Sequence, residues 1–470
     1  MDNNIMLGAS TEETLAFAQS LQKGEKVLAG AKKSITTALG LVGYPLEAPA
    51  KKLYFVEDTM RRRIPRKLSE VGGTACHWRA ITKINTNAVR PGVAEGALNT
   101  MLDIATEDRY ATYKTLNMAQ NYSDESMIMG RRFQDVPELA MLTTMQALMM
   151  AEDLEIIGGA INAISAPATV TAVDDASVTT TIAAATYVVS VSAVGIYGWR
   201  FKSAGNDGTA DAIDETTVTA ATGVAITATH AISATWDDVP GACGYNVYVD
   251  GYYYGYTATN AITITSIPAS TANVPNTNNT TGSANDFDGI LTQLVASTSN
   301  AYYKSLDGAQ LTSDNAGGNV EIEEMLASIY DNYVISPTVM LVGLDILPAL
   351  TKSAIGNSAT APTRFVTVDE GKNGLSAGSA VTAYFNKFTG QYIEIVSTVH
   401  CPAGKIIAVA ENVPYPASEV PNNLEIDLQQ EMYGEIMART TRVTPVSVTE
   451  IEALKIYLTG GCGIISNIGA

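Results

Sequence analysis

Between about Ser165 and Ala284 the chain all but stops using basic residues: Arg200 and Lys202 are the only two. Ala, Thr, Ser, Val, Gly and Tyr dominate, and apolar positions alternate with small polar ones, as in Tyr187-Val188-Val189-Ser190-Val191-Ser192. A two-residue period puts alternate side chains on opposite faces of a strand. Turn clusters such as Gly205-Asn206-Asp207-Gly208 interrupt it. Asp250-Gly251, set between Tyr245–Val249 and Tyr252–Tyr256, is a two-residue hairpin signal. Short strands at this spacing predict a β-sandwich of roughly 100 residues. The polar run Asn276–Ser283 reads as the linker out. Sequence of a different, mixed style stands on both sides. The chain is therefore expected to be α+β, with an all-β domain inserted where two loop ends lie close together at a surface.

Before the insertion the chain reads as mainly helical. Ser10 and Glu13 form a capping box, with Leu15, Ala18 and Leu21 at helical spacing and Gly24 closing. Val27, Leu28, Ile35 and Leu39 mark a second helix. A basic cluster follows: Lys51, Lys52, Arg61, Arg62, Arg63, Arg66 and Lys67. Trp78-Arg79-Ala80-Ile81-Thr82-Lys83-Ile84 alternates like a half-solvated strand, so residues 50–93 read as a long hairpin-like loop. The strongest helix comes next. Asp135 caps it, Pro137 and Glu138 suit its first turn, and Gly158-Gly159 ends it near Ile157. Met141, Leu142, Met145, Leu148 and Met149 form its apolar stripe, read as core. After Phe287, Glu321, Glu323 and Glu324 open a helix carrying Met325, Leu326, Ile329 and Tyr330. A further helix is expected around Leu344–Ile355, then strands and turns to the end.

Charge narrows the class of partner. Twenty-nine Lys and Arg face 48 Asp and Glu among 470 residues, a net charge of −19, which argues against nucleic acid as a main ligand. Only 16% of residues are charged while 46% are hydrophobic, a folded rather than a disordered profile. Met1-Asp2-Asn3-Asn4 opens without a basic or apolar run, so no secretory signal is expected. The uncharged stretch from Ala176 to Trp199 is long enough to cross a bilayer, but its alternation reads as strand.

Chemistry-bearing residues are few and scattered. Cys76, Cys243, Cys401 and Cys462 show no C-x-x-C spacing and read as buried thiols. Histidine occurs only as His77, His230 and His400. Cys76-His77 and His400-Cys401 are adjacent pairs, but neighbours on a strand face opposite ways and no third ligand sits at a metal-site spacing. Gly30-Ala31-Lys32-Lys33-Ser34 lacks the rest of a phosphate loop, and Gly460-Gly461-Cys462-Gly463 leads into no helix. No catalytic, cofactor or metal residue is assigned, and no enzyme is expected. Glu152, Asp153 and Glu155 read as a solvated helix face. The basic run reads as contact with an acidic surface on another copy of the chain, through Arg61, Arg62, Arg63, Arg66 and Lys67.

The order of elements resembles one family, the major capsid proteins of tailed bacteriophages with the HK-ninety-seven fold. Tyr113-Lys114-Thr115 through Tyr122-Ser123-Asp124-Glu125, then Phe133-Gln134-Asp135 and the helix ending Glu152–Gly159, looks like the run into and through that family's spine helix. Phe287-Asp288-Gly289-Ile290-Leu291 looks like the return after it. Val334–Val339 looks like the step into the axial domain, and Thr389-Gly390, Tyr392–Ile395 and Gly463–Ile468 like the late strands. The likeness covers about residues 40–164 and 286–470. It implies an N-terminal arm (1–49), an extended loop overlapping a neighbour (50–96) and a peripheral domain (97–164 and 286–339) with its spine helix at about 136–157. It further implies an axial domain (340–445) and a C-terminal return (446–470). It also implies hexamers and pentamers in an icosahedral shell around double-stranded DNA, a separate scaffolding protein and a portal.

Within the insertion (165–285), Ala234-Thr235-Trp236 through Gly244-Tyr245-Asn246-Val247 resembles a fibronectin type III or immunoglobulin-like sandwich, with Trp236 and Tyr245 as core anchors. On a shell it is expected to project outward, as a decoration, attachment or stabilising domain. Three other readings compete: an encapsulin-like compartment holding cargo protein, a surface adhesin using the sandwich to bind, and a metal-dependent enzyme.

Overall fold

The structure, a computed structural model, describes residues 56–69, 72–84, 86–130, 134–159, 164–200, 214–268, 282–314, 317–355, 381–413, 420–439 and 441–469. The expected arm over 1–49 with its capping box, the Gly205–Gly208 turn and most of the 276–283 linker lie outside these residues. Residues 54–129 and 135–470 form one unit of the chain.

The longest helix of this unit, α2, runs Val136–Gly158, after a five-residue helix α1 (Thr59–Arg63). Asp135 caps α2 by accepting the Glu138 N–H at 3.3 Å, Pro137 stands in the first turn, and Gly159 closes it. The fully buried row is Ala140, Thr144, Leu148 and Glu152, one residue off the expected stripe. Of the five stripe residues only Leu148 is fully buried, while Met141 and Met145 pack half-buried against the core. Small side chains at 140 and 144 let the helix lie close on strands β4 (Lys114–Ser123) and β17 (Val443–Ile456), and the methionines fill the flanks.

Two sheets form the body. The first has the order β1-β16-β17-β4, with β1 at Arg66–Leu68 and β16 at Leu424–Ile436. β1 runs parallel to β16, Arg66 opposite Ile426, and β17 runs antiparallel to both its neighbours. The second has the order β11-β18-β15-β12-β14-β13. Its strands are β11 (Tyr302–Ser305), β12 (Val339–Val342), β13 (Ala383–Asn386), β14 (Gln391–Ser397), β15 (Ile406–Val409) and β18 (Gly463–Ser466). Val339, Leu341, Ile407, Val409 and Ile464 face the core shared with α2. Met340, Val342, Ile406, Ala408 and Ile465 face the other way, under helix α3 (Val320–Tyr333). With both faces covered, these strands are continuously apolar.

The hairpin differs from expectation at both ends. Strand β2 (Ala75–Ile84) pairs antiparallel with β3 (Ile104–Thr112), Ala75 opposite Thr112. The returning strand therefore lies past residue 96, in what the sequence assigned to the peripheral domain. Residues 59–68, assigned to the extended loop, are instead built into the body as α1 and β1, where buried carboxylates hold Arg61 and Arg66.

The described residues between 164 and 267 share a core of their own, built from Val189, Val191, Ile232, Trp236, Tyr245, Val247 and Ile264 among others. Their strands include β5 (Val170–Thr179), β6 (Val189–Val194), β7 (His230–Trp236), β8 (Gly244–Val249), β9 (Tyr252–Thr257) and β10 (Ala261–Ile264). One sheet has the order β10-β7-β5 and the other β9-β8-β6 with the short strand Thr219–Ala220 at its edge. The rings of Trp236 and Tyr245 meet edge to face at 5.3 Å, both residues buried. Val249 pairs with Tyr252 around Asp250 and Gly251, whose φ values are 51° and 85°. Positive φ at both central residues matches the right-handed twist of the flanking strands.

This β region is fastened to the body. Asp238 accepts from Tyr303 and Asn467, each at 2.5 Å, and Asn260 donates to Asp307 at 2.9 Å. At its root the Gly289 N–H donates to the Gly159 carbonyl at 3.0 Å, so the chain departs and returns at one point.

Candidate functional site

The basic run folds inward. Asp153 on α2 accepts the Met60 and Arg61 backbone N–H groups, at 2.7 and 2.9 Å, and so caps the first turn of α1. That brings Arg61 of α1 to the end of α2. Arg61 Nε lies 2.5 Å from Glu152. Arg66, from β1, pairs with Glu152, with Glu450 at 2.5 Å and with Glu452 at 3.4 Å. Glu450 and Glu452 alternate along β17 and so share one face.

The five candidate residues divide. Arg61 and Arg66 come together at this cluster. Arg63 goes elsewhere, to Glu411 at 2.8 Å and Glu394 at 2.9 Å, and the Glu411 hydrogen bond above all raises its pKa. Arg62 stays outside, its side chain 70% exposed and 2.6 Å from Asp58. Lys67 is exposed on β1.

The three acids at the end of α2 are not a solvated face. Glu152 and Asp153 are fully buried and Glu155 is 4% exposed. Each has its own compensation: Glu152 the two guanidiniums, Asp153 the α1 amides and His400, Glu155 the Phe287 N–H at 2.7 Å. Burial pushes the Glu155 carboxyl up to about 8, and Asp286 and Glu452 nearby add to the effect. The sequence carried a signal for this. Carboxylates in a last helical turn oppose the helix dipole, so three of them require outside donors, and the arginine run is the one dense supply. Glu450 and Glu452 within the apolar strand Val446–Ile456 were a second signal.

Glu152, Glu450 and Glu452 bring ligand-type oxygens within 4.8 Å of one another, and they are the one such trio found among the described residues. Arg61 and Arg66 already stand where a cation would, so the arrangement is an ion-pair network rather than a metal cradle. The Cys–His pairs do not assemble either. Cys76 is buried and His77 exposed, as opposite faces of β2 require. His400 turns to Asp153, 2.7 Å away. All four cysteines are free and buried, and burial pushes the Cys243 thiol up to about 12 and raises Cys401 as well. A thiol held protonated in this way is a poor nucleophile.

The hairpin presents the opposite character. Ile81 is exposed on β2, Tyr110 on β3, and Leu98, Met101 and Leu102 on the connection between them. A cleft of about 820 Å³ lies at the hairpin's base, lined by Trp78, Arg109, Asp214, Phe287 and Thr459 among others. Among the described residues no helix is long and apolar enough to cross a membrane.

No protein-family model matches the chain, and no curated protein matches it. Among solved structures, it is similar to the capsid of Myoviridae phage XM1 at 8% identity and a TM-score of 0.42, over 95% of this chain and 100% of that one. It is similar to the capsid of a native GTA particle at 8% identity and a TM-score of 0.46, over 94% and 100%. It is similar to the holo-SrpI encapsulin complex of Synechococcus elongatus at 10% identity and a TM-score of 0.39, over 92% and 95%. Likeness at this level says what the chain resembles and assigns it no activity.

Proposed function

We propose that the chain is a structural subunit of a closed protein shell. The observation that carries this reading is the β2–β3 hairpin with its connection, where large apolar side chains stand exposed: Leu98 is 89% exposed, Met101 80% and Tyr110 67%. Large apolar side chains left exposed in this number on one element mark a place that another protein covers.

Within that class, the order of elements supports the major capsid protein of a tailed bacteriophage, with the HK-ninety-seven fold. In this reading the hairpin lies over a neighbouring subunit and the six-stranded sheet belongs to the axial domain. Hexamers and pentamers close an icosahedral shell around double-stranded DNA, with a separate scaffolding protein and a portal. The β region of 164–267 projects outward as an immunoglobulin-like decoration, stabilising or attachment domain. A net charge of −19 suits a wall that does not trap DNA. Of the five candidate residues, Arg62 and Lys67 are left facing outward for contact with an acidic neighbour.

Electron microscopy of the purified chain, alone and coexpressed with a scaffolding protein, tests the reading. Closed shells are expected. Monomers under every condition overturn it, and shells filled with cargo protein rather than DNA favour an encapsulin-like compartment.

A further inference from the structure

We propose that Glu452 holds one buried proton that balances the arginine–glutamate cluster, and that releasing this proton to alkaline solvent loosens the α1–β1 segment from the body. Charge at the cluster does not balance when every acid is ionised. Glu152, Glu450 and Glu452 contribute three negative charges within 4.8 Å of one another, and each residue is at most 1% exposed. Arg61 and Arg66 contribute two positive charges. One negative charge remains, and burying it uncompensated is costly enough that a group takes up a proton instead.

Geometry selects the group. Glu152 receives close contacts from both arginines, and Glu450 lies 2.5 Å from Arg66. Neither oxygen of Glu452 receives a hydrogen bond, and its nearest guanidinium nitrogen stands 3.4 Å away. Among the described residues no cation other than Arg66 and Arg61 acts on it. On its own strand Glu452 faces Glu450, and from α2 it faces Glu152, with Glu155 also within electrostatic reach. Across β4 it sits opposite Lys114, whose ammonium donates to the Ala284 carbonyl, and across β16 opposite Leu428. The next carboxylate along β16, Asp427, is taken by Lys455 at 2.5 Å. Burial, then Glu450, push the Glu452 carboxyl well above its ordinary range, while Arg66 and Arg61 pull against them.

Losing the proton leaves a third buried carboxylate against two guanidiniums. The elements that meet at the cluster are α2, β17, α1 and β1, and α1 and β1 are the shortest of them. The folded state binds a proton that the unfolded chain, near its ordinary glutamate value, has released. The stabilisation is therefore complete below about pH 5 and is lost as pH rises through the folded value. This inference does not depend on the shell reading.

Infrared spectroscopy of the full-length protein tests it through the C=O stretch of protonated carboxyl groups. Glu155 holds a proton too, so the Glu155→Gln variant is the reference. At pH 7 this variant is expected to keep a protonated-carboxyl band that shrinks on alkaline titration, and adding Glu452→Gln is expected to shrink it by one carboxyl, Asp214 being pushed upward by burial too. No such band in the Glu155→Gln protein, or a band untouched by Glu452→Gln, overturns the proposal. Should the double variant fail to fold, the single variant still decides, because absence of its band is fatal. A local readout accompanies it: hydrogen-exchange protection of amides 58–68, corrected for intrinsic rate, should fall by up to about tenfold per pH unit from about pH 5 up to the titration in wild type and level off above it. Unchanged protection up to pH 10 overturns the loosening.

Discussion

His400 Nδ1 lies 2.7 Å from one oxygen of Asp153, while the other oxygen accepts two backbone N–H groups of α1. One fully buried carboxylate thus joins three parts of the chain: the end of α2, the start of α1 and the turn after β14. Replacing Asp153 with Ala leaves two amides and an imidazole without their acceptor. The expected loss is about 3 kcal/mol. Asp153→Asn keeps an acceptor oxygen and should lose less. Denaturant midpoints of the purified proteins measure both, and an Ala variant within about 0.5 kcal/mol of wild type would remove Asp153 from this role.

Glu155 sets a second expectation, on pH. Its folded-state carboxyl is raised to about 8, mainly by burial, against an ordinary 4.5. The folded protein therefore holds a proton that the unfolded chain has lost. Stability should fall as pH rises from about 5 toward 8, by up to about 1.4 kcal/mol per pH unit for this group. Glu155→Gln keeps an acceptor for the Phe287 N–H and has nothing to titrate, so its unfolding midpoint should fall less steeply over that window. An unaltered slope would show that the group is already ionised when folded.

These carboxylates also mark where the sequence was readable and where it was not. Local signals placed α2 well: Asp135, Pro137 and Gly158-Gly159 act within one turn of their own positions. The Asp250-Gly251 turn was equally local, since its two residues adopt the positive φ it needs. The fate of Arg61 and Arg66 was not local. Their partners stand 91 and 384 residues away, at Glu152 and Glu450. The returning strand β3 was missed because Ile104–Thr112 carries the charges Glu107, Asp108 and Arg109 and shows no strong apolar alternation. The one-residue error in the α2 stripe has a similar source: hydrophobicity favoured the methionines, while close packing favoured the small Ala140 and Thr144.

The arginines should separate by variant. Charge reversal at Arg62 and Lys67, both outward-facing, should leave the monomer folded and impair only association. Arg61→Glu with Arg66→Glu places five carboxylates around a buried site and should prevent folding, a penalty well above 4 kcal/mol. Circular dichroism and sedimentation velocity on the two pairs distinguish these outcomes. A folded Arg61/Arg66 reversal would mean that the cluster opens to solvent.

The hairpin's apolar tip gives an association test that spares the fold. Leu98 and Met101 are exposed, so Asp at both positions should change monomer stability by under about 0.5 kcal/mol. Assembly should fail or require a much higher protein concentration, because two charges then enter a contact that buries apolar surface. Light scattering during assembly measures the onset, and an unchanged onset would place the contact elsewhere.

Gly289 carries the closest backbone crossing at the root of the β region. A Cβ there would overlap the Glu155 carbonyl oxygen and stand 2.7 Å from the Gly159 nitrogen, and neither is the movable end of a side chain. Gly289→Ala must therefore push apart the two chain segments that the Gly289–Gly159 hydrogen bond joins. Overpacking costs about 1–3 kcal/mol and the strained hydrogen bond about 1 more. Gly255→Ala is the control, since a Cβ on that strand meets nothing within 4 Å and its φ is not in the left-handed region. Thermal unfolding should show a loss for Gly289→Ala and little or none for Gly255→Ala. Equal midpoints would mean that the root can widen without cost, and that departure and return of the chain at one point do not hold the β region in place.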